Sequence, residues 1–75
     1  MGKAEAFAII QGFQGELSLS CEDIRKIGKN EAFLQEVADA IDEYMENNDL
    51  YILPLGKHDT HTGAIIEIIN EKLAY

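Results

Sequence analysis

The chain has 75 residues, 14 acids against six bases and a formal charge of −8. That length allows a single domain, 1-75, whose fold buries only roughly 60% of the unfolded surface. One cysteine, Cys21, excludes an internal disulfide scaffold and fits a reducing, cytoplasmic setting, while no apolar run approaches the ~20 residues of a membrane span.

Ala4 to Ile10 form an apolar run broken by Glu5, and Gly12-Phe13-Gln14-Gly15 punctuates the chain after it. Glu16 to Cys21 alternates polar and apolar residues, the period-2 pattern of a half-buried strand. The two runs together predict a β-hairpin. The same first run also fits a short helix from Lys3 to Phe13, because Ala, Glu and Gln favour helices. Ser20-Cys21-Glu22-Asp23 has the layout of a capping box, so a short helix is expected through Ile24 and Ile27. Cys21 is expected as a small buried residue. Gly28 is expected to end this helix in the left-handed conformation, and Asn30 to cap the next one.

That next helix is predicted from Glu31 to Asn47. Phe33, Leu34, Val37, Ala40, Ile41, Tyr44 and Met45 share one side of it. Leu50 to Gly56 then predicts a strand, with Pro54 near its end or at an edge. Lys57 to Gly63 reads as a polar loop. Ala64 to Tyr75 is expected to be a helix capped by Thr60 or Thr62, although its β-branched residues also suit a strand paired with Leu50 to Leu55. The predicted class is α+β: about three strands in the order β-β-α-α-β-α, with the helices on one sheet face. The alternative is a winged-helix-like domain with a carboxyl-terminal strand pair.

Charge is distributed unevenly. Glu31, Glu36, Asp39, Asp42, Glu43, Glu46 and Asp49 are unrelieved by any base, while the rest of the chain carries seven acids and six bases. On a helix these seven project within an arc of roughly 140°. A solvated face accounts for such a pattern, since acids form helices and keep small proteins soluble. Stability alone does not favour it. Asp39 with Glu43, and Asp42 with Glu46, are like-charge i,i+4 pairs, each costing a few tenths of a kcal/mol. Glu43, Glu46 and Asp49 crowd the carboxyl end, where the helix dipole favours cations. The helical acids span about 22 Å, one charge per ~4 Å, against one per ~3.4 Å on a DNA strand. Glu36, Asp39, Asp42, Glu43 and Glu46 are therefore candidate partner-binding residues for a basic protein surface. In size and charge, with no shared motif, the chain resembles phage-encoded inhibitors of host nucleic-acid machinery, such as anti-CRISPR and anti-restriction proteins. That resemblance implies a small inhibitor of viral origin.

Other patterns point to less. His58-Asp59-Thr60-His61 places two imidazoles at short spacing, but further metal ligands are missing nearby, and a turn explains the segment. No P-loop, dinucleotide fingerprint or nucleophile elbow is present, so neither an enzyme nor a cofactor is expected. The Asp-Ser-Leu context of acyl carrier proteins is also missing. Direct nucleic-acid and membrane binding are disfavoured by the acidic balance. Phe13, Tyr44, Met45, Tyr51 and Tyr75 exceed what so small a core needs, which allows a homodimer as the structural alternative.

Overall fold

The computed structural model describes residues 1–53 and 60–74. Four helices occur among these residues: α1 (Lys3–Gly12), α2 (Cys21–Lys29), α3 (Glu31–Asn47) and α4 (Thr60–Leu73). No strand is present among the described residues. The expected α+β class, with its three strands, is therefore replaced by helix-on-helix packing. The winged-helix alternative falls with it, since α4 is a helix where that fold needs a strand pair.

The hairpin misreading has a local cause. Ala4 to Ile10 belongs to α1, so the helical option for this run holds. An Ala-rich run with Glu5 and Gln11 loses little side-chain entropy in a helix, and a lone hairpin has no third strand to cover it. The alternation in Glu16 to Cys21 exists but is realised by turns. Leu17 N–H donates to Phe13 O at 2.9 Å, and Leu19 N–H reaches back to Gln14 O at 3.0 Å. Ser18 takes a left-handed φ of 55° between them, closing the turn in Schellman fashion. Leu17 is buried and Leu19 half-buried, as a strand would have left them.

The caps of α2 and α3 follow the sequence. Ser20 Oγ accepts from Asp23 N–H at 3.1 Å, and the Asp23 carboxylate accepts from Ser20 N–H at 3.0 Å. These bonds hold the Asp23 carboxyl below its ordinary range. Asn30 Oδ1 accepts from Phe33 N–H at 3.1 Å and opens α3. At the far end of α3, Asp49 adopts φ 54°. Leu50 N–H then bonds Met45 O at 2.8 Å, the long closing bond of a Schellman motif with an acid where glycine is usual.

The core lies on one side of α3, where Phe33, Leu34, Val37, Ala38 and Ile41 are buried. Ala6, Ile9 and Ile10 of α1, Ile27 of α2, and Ile65 and Ile69 of α4 complete it. Each large side chain buried this way contributes roughly 1.5–3 kcal/mol. Ile65 and Ile69, four apart, outweigh the weak helix propensity of β-branched residues in α4. Thr60 and Thr62 both lie inside that helix, so neither is its N-cap, and Thr62 is buried. Residues 50–53 form no strand, and Pro54 lies outside the described residues.

Two expectations in α2 are corrected. Cys21 is exposed at the first position of the helix, where its side chain points away from the core. Gly28 continues the helix with an ordinary φ. Its value lies in space: a Cβ there would stand 2.8 Å from Phe7 Cζ. Glycine lets α2 approach the ring of α1.

Gly28→Ala is expected to lose stability while Phe7 is present and to gain it in a Phe7→Leu background. Helix propensity favours alanine by about 1 kcal/mol, and overpacking opposes it by about 1–3 kcal/mol. Urea titration of the double-mutant cycle measures the coupling, and additive changes would refute the contact. Asp49→Gly should raise the urea midpoint by the equivalent of about 1 kcal/mol, because it relieves the left-handed aspartate at the helix end.

Candidate functional site

The side of α3 opposite the core carries the acids, because a 3.6-residue period places Glu36, Asp39, Glu43 and Glu46 away from the buried positions. All four are exposed. Among the described residues no ion pair neutralises Glu36, Glu43 or Glu46. Asp39 accepts a hydrogen bond from Gln35 Nε2 at 2.9 Å, and this leaves its charge in place. Glu31 lies 4.0 Å from Lys3 Nζ. The last turn of α3 has no base, so its dipole adds to the negative potential there.

Asp42 differs from its neighbours. It is half-buried on the α1 side, and its Oδ2 accepts from the Met1 amino group at 2.6 Å. The bond to Asp42 raises the pKa of that amine from its ordinary 8.0, with further help from the charges of Asp42, Glu5 and Asp39, against a cost of desolvation. The like-charge pair Asp42–Glu46 is thereby relieved, and the Asp39–Glu43 pair is not. Without Asp42, the open row from Glu36 to Glu46 covers about 15 Å, one carboxylate per ~5 Å. The row is thus shorter and slightly sparser than the six helical acids implied, and less close to a phosphate rail.

Half of the chain's six cations sit on α2. Arg25, Lys26 and Lys29 are exposed on α2, near the end where the helix dipole favours them. Lys26 pairs with Glu22 in its own helix at 3.7 Å. α2 thus carries three cations against two acids, while α3 carries acids alone.

An open apolar groove of about 390 Å³ runs along α1, lined among the described residues by Glu5, Ala8, Ile9, Gly12, Phe13 and Leu53. All but Leu53 recur along one stripe of α1 at helical spacing. Sequence reasoning missed this groove: its leading reading made those residues strand and turn, and its helical alternative left open which side of the helix stays uncovered. Tyr51 and Ile52, just before Leu53, are 93% and 82% exposed. Tyr51 was among the aromatic residues suspected of surface exposure. Phe13, Tyr44 and Met45 instead pack against the core, and Tyr75 lies outside the described residues.

His61, one of the two histidines of the short-spaced pair, is engaged inside the fold. Its Nδ1 meets the Tyr44 hydroxyl at 2.6 Å, with the rings edge-on at 5.7 Å. This bond ties α3 to α4 and satisfies a half-buried phenol. His58 and Asp59 lie outside the described residues. Among the described residues no three His, Cys, Asp or Glu side chains converge on a common point. No helix there is long and apolar enough to cross a membrane. Comparison of the chain with protein-family models, curated proteins and solved structures found no match.

The Met1–Asp42 pair sets a pH dependence. The folded amine has the higher pKa, so its contribution is complete below pH 8.0 and is lost as pH rises through the raised value. Thermal unfolding of the chain with a free amino group should show stability falling across that alkaline window. Asp42→Asn should flatten the slope, and an unchanged slope would show that the pair contributes nothing.

Proposed function

We propose that this protein is a non-enzymatic binding module that docks the exposed side of α3 on a basic, nucleic-acid-binding protein surface, in the manner of a phage-type anti-defence inhibitor. Glu36, Asp39, Glu43 and Glu46 make the charged contacts. Asp42, also a candidate from the pattern, acts within the fold by holding the amino group of Met1. The observation that carries this reading is the row that no ion pair among the described residues neutralises. Four exposed carboxylates lie on one side of one helix, and the exposed cations of α2 are placed elsewhere.

Electrostatics supports the choice of partner. The row repels itself at Asp39–Glu43 and opposes the dipole at its carboxyl end, costs that a complementary cationic surface would relieve. Charge-assisted contacts with Arg and Lys are stronger than neutral hydrogen bonds, and complementary fields speed encounter. Association of this kind weakens steeply with salt. The mechanism is steric and electrostatic: the occupied basic groove is closed to nucleic acid. An intracellular, reducing setting agrees with the exposed thiol of Cys21, which has no disulfide partner in the chain.

The test neutralises the row without touching the core, using Glu36→Gln, Asp39→Asn, Glu43→Gln and Glu46→Gln together. The variant should melt slightly higher, because a like-charge pair is gone. Capture from a host lysate at low salt should yield basic nucleic-acid-binding proteins with the parent chain. They should elute as salt rises and be lost with the variant. If the variant retains the same partners, the docking face lies elsewhere. A gel shift of duplex DNA by the parent chain at low salt would also overturn the reading.

A further inference from the structure

We propose that the groove along α1 is a second half of the docking surface and seats the apolar side of a basic amphipathic helix from a partner protein. The inference rests on the acidic-face reading of α3 for the sign of the partner's charge, and on α1 for its apolar anchors.

α1 is apolar on more sides than its packing uses. Ala6 and Ile10 enter the core, and Phe7 meets Gly28 of α2. A third side, with Ala8, Gly12 and Phe13 beside the buried Ile9, faces the groove. Its middle is built from the two smallest residues available, and a Cβ on Gly12 would meet nothing within 4 Å. A floor of this kind lets an incoming helix come close while its larger side chains fill the trough. Leu53 closes one wall, and the neighbouring Tyr51 and Ile52 expose large apolar surface. Exposed apolar side chains grouped near an apolar groove mark an interaction surface. Helix-in-groove recognition uses anchors at i, i+3, i+4 and i+7, which match an open trough along a helix.

Charge selects the occupant. Among the described lining residues Glu5 alone is charged. It shares a field with Asp39 and Asp42, since all three act on the amino group of Met1. Met1, one helical turn before Glu5, bonds Asp42 of α3 at 2.6 Å, which sets the Glu5 end of the groove near that carboxylate, and a helix seated there would turn its polar side toward both. Lys and Arg on that side are attracted. A second copy of the chain is disfavoured, because each brings a formal −8 to the contact.

The probe is a fluorescein-labelled peptide of about 18 residues, long enough to hold a helix. It carries Leu at i, i+3, i+4 and i+7 and Arg or Lys elsewhere, and anisotropy reads its binding. The full chain should bind it, and replacing the Leu residues by Ser should weaken binding by about tenfold or more. Ala8→Glu should weaken it comparably even though it adds an attractive charge. Circular dichroism checks that this exposed substitution leaves the fold intact, and the peptide substitution needs no variant protein. If the Ser peptide binds as tightly as the Leu peptide, or Ala8→Glu binds it equally or better, the groove is not the seat, while the acidic face remains a sufficient account. No binding up to about 1 mM at low salt also overturns the groove proposal; the acidic face is then judged by the salt-eluted capture alone. Sedimentation showing a dimer that Ala8→Glu dissolves would overturn it in favour of a second copy.

Discussion

Every helix of this domain packs on one side of α3, and the rest of the structure follows from that constraint. Val37, Ala38 and Ile41 are fully buried at its centre. A helix whose one side is the core must give its other side to water. With acids alone among the charged residues of α3, the solvent side becomes an anionic surface. The core spine and the candidate docking face are thus two sides of one element. Neither can be rotated without exposing apolar residues or burying unpaired carboxylates, and either change costs several kcal/mol.

The small size of the domain sharpens this dependence. A chain of 75 residues has little spare core. Contacts between helices are therefore made where residues are small or well matched. Gly28 lets α2 close on Phe7, and the Tyr44–His61 bond joins α3 to α4. The Met1 amine on Asp42 couples the start of the chain to the acidic helix. That last contact removes one carboxylate from the open row, so the fold itself limits how closely the row imitates nucleic acid.

Much of the helical framework was legible. Asn30 and the Ser20–Asp23 box announce helix starts through side-chain oxygens placed before orphan N–H groups, and both bonds form. α3 has the bounds that its periodicity predicts, because seventeen residues of unbroken amphipathic pattern leave no competing period. The hairpin and the third strand were misread for the opposite reason. Runs of six or seven residues fit a strand, a helix or a sequence of turns equally well, and only the available packing partner decides among them. Gly28 was misread because a glycine needed for space looks, in sequence, like one needed for φ.

By itself, the sequence determined which residues are acidic, that they share one side of α3, and where α2 and α3 begin. These properties depend on composition and on contacts within a few residues. The tertiary structure decided the rest. It made α1 a helix, paired Asp42 with the amino group, and left an apolar groove beside Glu5. Those outcomes depend on which faces meet, over separations such as the 41 residues between Met1 and Asp42. No local pattern carries that information.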